Sequence, residues 1–208
     1  MDSADMGLYE RHILPRVIDQ ACGLAELTPY RQKVVSQARG TVLEIGFGSG
    51  LNLPLLPAAV ERVLAVDPSE TARKLGRERI AAARCAVDFI GLDAERIAVE
   101  TAAADCALST FTLCTIADVA GALREVRRIL KPGGAFLFVE HGRAPDADTA
   151  RWQGRLNGLQ RFLCGGCNLN RDIPALVRDA GFALRELDQG YVPGMPRTHA
   201  YLYTGVAA

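Results

Sequence analysis

The sequence predicts an α/β fold: a doubly wound, mostly parallel seven-stranded sheet with helices on both faces and a C-terminal antiparallel hairpin. Two observations carry this. Short apolar runs of strand length alternate with segments of helical periodicity from Thr41 to Glu140, and such alternation implies parallel strands joined by right-handed helical crossovers. The first apolar run, Thr41–Ile45, ends in Gly46, Gly48 and Gly50, a tight turn in which the backbone can lie directly against a ligand at the start of a helix.

Two helices precede that strand. Leu8 to Cys22 places Leu14, Val17, Ile18 and Ala21 on one face, so an amphipathic helix is expected, with Pro15 in its first turns. Thr28-Pro29 is an N-cap and first-turn pair that starts a second helix running to about Ala38, and Gly40 stops it. Residues 1–39 read as a helical cover whose apolar face either packs on the sheet, the favoured reading, or contacts substrate, and residues 40–208 as the core of the same single domain. Strand 62–67, helix 69–83, strand 86–90, strand 104–110, helix 118–130 and strand 134–140 follow in order. Val119, Leu123, Val126 and Leu130 recur at helical spacing and should face the core, and Pro132-Gly133-Gly134 turns the chain back. The last third reads as a helix near Thr149 to Phe162, a Gly/Cys/Asn-rich turn, a short helix over 173–180 ended by Gly181, and strands Ala183–Asp188 and Thr198–Gly205. Between those strands, Gly190–Pro196 is too rich in proline and glycine for a helix and is either a lid or a plain surface connection.

Composition excludes several classes of function. The 24 basic and 24 acidic side chains cancel, so no global field favours nucleic acid or an anionic membrane, and a small-molecule substrate is expected. Met1 to Gly7 is acidic and lacks the blocks of a signal peptide. No run reaches about 18 apolar residues, so no integral membrane segment is expected and the cytoplasm is the expected location. The six cysteines are scattered rather than dense, which suits a reducing compartment. Nothing in the sequence speaks to oligomeric state.

The glycine loop narrows the ligand. A dinucleotide fingerprint would need its last glycine at Leu51, and Glu44 lies two residues before the first glycine, so the spacing argues against NAD. Ligands of doubly wound sheets bind outside the C-terminal strand ends, a rule that gathers Gly46–Gly50, Asp67, Asp93, Thr110–Thr112 and Glu140–His141 onto one rim. Asp67, about 20 residues past the glycines, is placed to accept two hydroxyl hydrogen bonds.

Glu44-Ile-Gly-Phe-Gly-Ser-Gly50 resembles motif I of the class I S-adenosylmethionine-dependent methyltransferases, in the methyltransferase type 11 superfamily. Val63-Leu-Ala-Val-Asp67-Pro-Ser resembles that family's second strand, Asp93-Ala94 its adenine-contacting position, and Leu130–Glu140 its turn into the fifth strand. The resemblance implies a Rossmann-like methyltransferase fold and S-adenosyl-L-methionine as cofactor. It implies cofactor contacts from Glu44, Gly46, Gly48, Gly50, Asn52, Asp67, Pro68, Asp93, Ala94 and Thr110. Ser109–Cys114, Glu140-His141 and Leu163–Asp172 further resemble segments of the small methyltransferase-like proteins, members of which methylate alkyl thiols. This likeness runs from about Thr41 to Gly181 and reaches, at superfamily level, the ubiquinone/menaquinone-biosynthesis methyltransferases. The chain departs from the animal members in lacking their hydrophobic N-terminal anchor, and in carrying Gly165 where they have an acidic residue.

Cys164 and Cys167 form a C-x-x-C with no second pair or histidine at zinc-finger spacing, so they read as structural cysteines and no metal is expected. Asn168, Asn170 and Asp172 are candidate caps for the helix that follows, and Arg171 a candidate bridge to the acidic rim. Methyl transfer from a sulfonium is an in-line displacement that needs donor and acceptor aligned about 3 Å apart with water excluded. A base is required only for an acceptor that must lose a proton. His141, with an unperturbed pKa of about 6.5, is the candidate, and Thr112, beside Thr110, is a candidate for orienting the acceptor. The expected function is methyl transfer to a small, fairly apolar acceptor, with a thiol first. A lipid-like amine or quinol acceptor, and a non-catalytic S-adenosylmethionine-binding protein, are the alternatives.

Overall fold

The computed structural model describes residues 7–91 and 93–208; the acidic stretch 1–6, on which the reading of the N-terminus rests, lies outside them. Seven strands form one sheet: β1 (Gly40–Ile45), β2 (Val60–Val66), β3 (Ala86–Gly91), β4 (Ala104–Thr110), β5 (Leu130–His141), β6 (Leu184–Tyr191) and β7 (Tyr201–Ala207). Their order is β3-β2-β1-β4-β5-β7-β6. β1 to β5 pair in parallel, while β7 inserts antiparallel between β5 and β6. The chain therefore steps outward from β1 to β3, then restarts on the other side of β1 with β4. That reversal makes the C-terminal ends of β1 and β4 the switch point, where the edges of two crossovers part and leave a crevice.

The helices are α1 (Leu14–Cys22), α2 (Thr28–Val35), α3 (Glu70–Leu75), α4 (Arg77–Ala81), α5 (Val119–Ile129), α6 (Ala147–Leu163), α7 (Ile173–Asp179) and the single turn α8 (Arg197–Ala200). On one face of the sheet α5 and α7 bury Leu123, Val126, Ile129, Ile173 and Val177 against Phe136 and Phe138. Val119 and Leu130 are also buried, as their spacing predicts. The opposite face is covered by α2, whose Val34 and Val35 pack with Val42, Val63, Leu108 and Val139. Phe136 and Phe138 are fully buried, and truncating either to alanine would cost about 3–5 kcal/mol.

Two expectations are corrected. The predicted apolar face of α1 does not pack on the sheet: Leu14 is buried, but Val17 is 48% and Ile18 41% exposed. Polar contacts set the helix's rotation instead. Asp19 accepts hydrogen bonds from the Ser49 hydroxyl and, at 3.0 Å, from Arg79, which turns the 15–19–22 side inward. The predicted helix over 69–83 is two helices broken at Gly76. A Cβ there would stand 2.3 Å from the Ser49 carbonyl oxygen, so the chain bends where it closes on the glycine loop. The 190–196 connection is anchored at its two ends, where Tyr191 and Arg197 both bond Asp146 and the Gln153 amide donates to the Thr198 carbonyl at 3.0 Å.

Candidate functional site

β1 delivers Glu44 and then Gly46 to the switch point. Gly46, Gly48 and Gly50 all take positive φ, at 70°, 57° and 72°. A Cβ on Gly46 would lie 2.0 Å from the Thr112 hydroxyl oxygen, so this position admits no side chain. Above Gly48 a Cβ would meet open space, with nothing nearer than the Gly46 carbonyl at 4.0 Å. The loop thus has a packed underside and a bare upper surface.

Asp67, at the end of β2, fastens this loop. One carboxylate oxygen accepts the Gly48 N–H and the other the Ser69 N–H, each at 2.7 Å. Burial pushes its pKa up against those two bonds. Each oxygen retains a lone pair for a further hydroxyl donor. Pro68 sits exposed between the two bonded groups. Asp93 lies on the loop after β3, where its side chain accepts the Glu95 N–H at 2.7 Å, and Ala94 packs against the core.

Between β1 and β4 lies a buried polar chain. The Asn52 amide donates to Glu44 at 2.7 Å and to the Thr110 hydroxyl at 3.1 Å. Arg31, only 4% exposed, donates at 2.7 Å to both Asn52 and Thr110 and at 3.0 Å to the Cys22 carbonyl. Its guanidinium stands 5.3 Å from the Phe111 ring centroid. Glu44 keeps one carboxylate oxygen, Oε2, without a partner among the described residues. Burial is the main cause that raises its pKa from 4.5 to about 7, against the Asn52 hydrogen bond and the Arg31 charge. A buried cation beside a half-satisfied buried carboxylate suits a zwitterion: an ammonium at Glu44 and a carboxylate toward Arg31. Arg31 escaped the sequence reading, yet it lies in register with Val34 and Val35 on the buried stripe of α2. A charge on an apolar helix face is the signal that would have found it.

On the β4–β5 side, Phe111 takes φ 57°, a strained turn for a non-glycine residue. It directs Thr112 so that its N–H donates to the buried Glu140 carboxylate at 3.0 Å and its hydroxyl to the Thr110 carbonyl at 3.2 Å. The Glu140 oxygen that receives Thr112 also receives the Ser109 hydroxyl at 2.7 Å, while Oε2 has no partner among the described residues. Burial raises the Glu140 pKa.

His141 is not the free base that its sequence position suggests. Its Nε2 lies 3.2 Å from the Cys167 sulfur, and its Nδ1 is buried without a partner among the described residues. Burial would lower its pKa, but the Cys167 hydrogen bond and charge lift it above the ordinary value. The Cys114 thiol, which donates to the Phe111 carbonyl at 3.8 Å, stands close to Cys167. Its influence foremost, with the His141 ring next, holds the Cys167 thiol well below its usual range despite burial. The C-x-x-C spacing misleads here: Cys164 is half-buried and Cys167 turns inward to Cys114 and His141. Arg171 donates to the Leu113 carbonyl and, at 2.7 Å, to the Ile116 carbonyl rather than to a rim carboxylate, and it meets the acidic rim only through the charge of Glu140. Of the three candidate caps, Asp172 caps α7 at 3.0 Å from Ala175 N. Asn168 bonds the Cys114 and Gly166 carbonyls, and Asn170 is exposed.

The structure thus brings Glu44, Gly46–Gly50, Asn52, Asp67, Thr110, Thr112 and His141 to one rim, with Asp93–Ala94 at its β3 end. Two surface depressions, of about 530 and 430 Å³, lie away from it, beside α5 and near Pro132-Gly133. Among the described residues no helix is long and apolar enough to cross a membrane.

Comparison with known proteins follows the same lines. A methyltransferase-domain family matches residues 43–138. The chain is 32% identical over 171 residues to the human thiol S-methyltransferase TMT1A, covering 78% of this chain and 69% of that protein. It is 34% identical over 104 residues to the ubiquinone/menaquinone biosynthesis C-methyltransferase UbiE of Rubrivivax gelatinosus, covering 50% of this chain and 40% of that protein. Against the thiol S-methyltransferases TMT1A and TMT1B the chain spans between 62% and 70% of their lengths. In structure, an S-adenosylmethionine-dependent methyltransferase from Mesorhizobium loti superposes with a TM-score of 0.65 at 18% identity, covering 88% of this chain and 98% of the other.

Proposed function

The chain belongs to the class I S-adenosylmethionine-dependent methyltransferases, and from that premise we propose that its acceptor is a small, fairly apolar thiol. S-adenosyl-L-methionine is the methyl donor. In this reading the glycine loop and Asn52 receive the amino-acid end of the donor. Its ammonium is drawn to Glu44 and its carboxylate to Arg31. Asp67 holds the ribose hydroxyls, with Pro68 beside it, and Asp93-Ala94 borders the adenine. The sulfonium then lies near Thr110, and its methyl group faces the β4–β5 side of the rim.

The chain's own residues align the reaction more than they drive it. Thr112, whose hydroxyl is held by the Thr110 carbonyl, fixes the wall against which the acceptor lies. His141, engaged by Cys167, acts through that sulfur rather than as a free base. Proximity supplies most of the rate, because the positive charge on sulfur is neutralised as the nucleophile attacks and no strong acid or base is needed at the donor.

The observation that supports a thiol over an amine or quinol is the meeting of segments 109–114, 140–141 and 163–172 at Cys114, His141 and Cys167. These are the segments that resemble thiol-methylating proteins. The test is donor consumption over a panel of alkyl thiols, lipid-like amines and quinols, with cofactor affinity measured separately by calorimetry. Turnover confined to thiols is expected. Turnover confined to an amine or quinol, with the cofactor binding normally, overturns the acceptor assignment.

A further inference from the structure

Three segments far apart in the chain each send one soft side chain to the same point. Cys114 comes from the loop after β4, His141 from the end of β5, and Cys167 from the turn after α6. Their ligand atoms all lie within 4.8 Å of one another, and the Cys167 Sγ to His141 Nε2 distance is 3.2 Å. Around a tetrahedral ion with metal–sulfur bonds of about 2.3 Å and metal–nitrogen bonds of about 2.0–2.1 Å, such atoms stand roughly 3.5–3.8 Å apart. The side chains are therefore within a small adjustment of a coordination shell.

The backbone around them is clamped in advance. Asn168 donates to the Cys114 carbonyl from both its main-chain N–H and its side-chain amide, each at 2.9 Å. Arg171 bonds the Leu113 and Ile116 carbonyls on either side of Cys114. Asn157 accepts the Leu169 N–H at 2.8 Å. The loops that carry the two sulfurs are thus fixed relative to each other without a disulfide, since all six cysteines are free. Two sulfurs and an imidazole nitrogen form a donor set that favours zinc-like ions over magnesium or calcium. Three protein ligands with one open position is the arrangement of catalytic rather than structural zinc.

We propose that Cys114, His141 and Cys167 hold one thiophilic divalent cation of the zinc class, whose fourth position receives the sulfur of the acceptor thiol. The first half stands on the cluster alone; the second rests on the thiol reading above. The chemistry balances without another reactant. The acceptor R–SH displaces water from the ion and releases its proton to solvent. The metal-bound sulfur attacks the sulfonium methyl, forming one carbon–sulfur bond as the other breaks. The thioether and S-adenosylhomocysteine leave, water returns to the ion, and one proton is released per turnover. The sequence expectation of no metal came from counting C-x-x-C spacing, which cannot register a cysteine and a histidine supplied by other strands.

The test uses the full chain, stripped with chelator and titrated with Zn²⁺ against a competing chromophoric chelator. Co²⁺ serves as a second probe, read by its thiolate charge-transfer absorption. One equivalent per chain is expected for the wild type and for Cys164→Ser. At least a tenfold loss of affinity is expected for Cys114→Ser and Cys167→Ser, with calorimetric binding of S-adenosylhomocysteine confirming that each variant is folded. If a serine variant fails to fold, protection of two thiols from a thiol-reactive reagent by Zn²⁺ in the wild type replaces it. Substoichiometric binding without such protection, or affinity equal in the wild type and folded serine variants, overturns the site. If Zn²⁺ binds but the stripped protein methylates thiols as fast as the loaded one, the fourth-position role falls while the site stands. If no thiol is methylated in either form, the acceptor reading and the fourth-position role fall together, and the metal site is judged on the titration alone.

Discussion

Glu44→Gln offers the sharpest test of the switch-point electrostatics, because stability and cofactor binding should respond in opposite directions. In the folded chain the Glu44 pKa is raised from 4.5 to about 7, chiefly by burial. Between those pH values the native state holds a proton that the unfolded chain has released, so unfolding free energy falls as pH rises. The stabilising contribution is complete below about pH 4.5 and is lost as pH passes through 7. At about 1.4 kcal/mol per pKa unit the loss amounts to about 3 kcal/mol. Glutamine keeps an acceptor for the Asn52 amide, which lies 2.7 Å from Glu44, but it carries no charge to desolvate. Its amide protons still need partners where Oε2 has none, a cost of about 1–3 kcal/mol that does not vary with pH. The difference between variant and wild type should therefore shift by about 3 kcal/mol between pH 4.5 and pH 8, in favour of the variant at high pH. For a chain of this size that is roughly 6–12 °C in melting temperature. Urea denaturation of both proteins at the two pH values, without ligand, reads the shift directly. Calorimetry at pH 8 should meanwhile show S-adenosylmethionine binding at least tenfold more weakly, for want of a partner to its ammonium. Parallel pH profiles for the two proteins would refute the reasoning, and so would undiminished cofactor affinity.

Asp67→Ala should weaken S-adenosylhomocysteine binding at least about a hundredfold in calorimetry, since two hydrogen bonds to a charged acceptor are worth roughly 1.5–3 kcal/mol each. It should also lower the melting temperature, because the Gly48 and Ser69 N–H groups lose their acceptor. Gly46→Ala places a methyl 2.0 Å from the Thr112 hydroxyl at φ 70°; a thermal melt should show a loss of about 2 kcal/mol or more, and wild-type stability would contradict the packing. Arg31→Met should lower cofactor affinity at least tenfold in the same titration and leave the Asn52 and Cys22 oxygens unpaired. Arg31→Lys should recover only part of the affinity, because a lysine cannot span three acceptors in a planar fork.

The layered architecture was legible because its signals are local. Strand-length apolar runs and glycine or proline breaks recur at intervals that no distant contact needs to confirm, and the buried stripe Val119–Leu123–Val126–Leu130 follows from period alone. The errors at α1 and at 69–83 share one cause. The α1 stripe met the criterion of period but lost to Asp19, whose hydrogen bonds to Ser49 and Arg79 outweigh the burial of Val17 and Ile18. The helix over 69–83 met it too, but Gly76 had to admit the Ser49 carbonyl. In each case a polar group from the glycine loop, remote in sequence, decided the geometry.

The same reasoning explains which parts of the candidate site could be read from local spacing. Gly46, Gly48 and Asp67 act through backbone conformation and strand position, which are written in local spacing. Arg31, Cys114 and Cys167 act through partners on other elements, and their meaning exists only once the sheet has brought β1, β4 and β5 side by side. The Cys164–Cys167 spacing invited a local reading, and the sulfur of Cys167 instead faces a histidine 26 residues earlier. Resemblance had singled out all three cluster-bearing segments without saying why they belong together. Their convergence supplies the reason: substitution at Cys114, His141 or Cys167 should disturb the other two, while substitution at Cys164 should not. A double-mutant cycle on metal affinity between Cys114→Ser and Cys167→Ser measures the coupling of the two sulfurs, and additive losses would show that these two residues act separately.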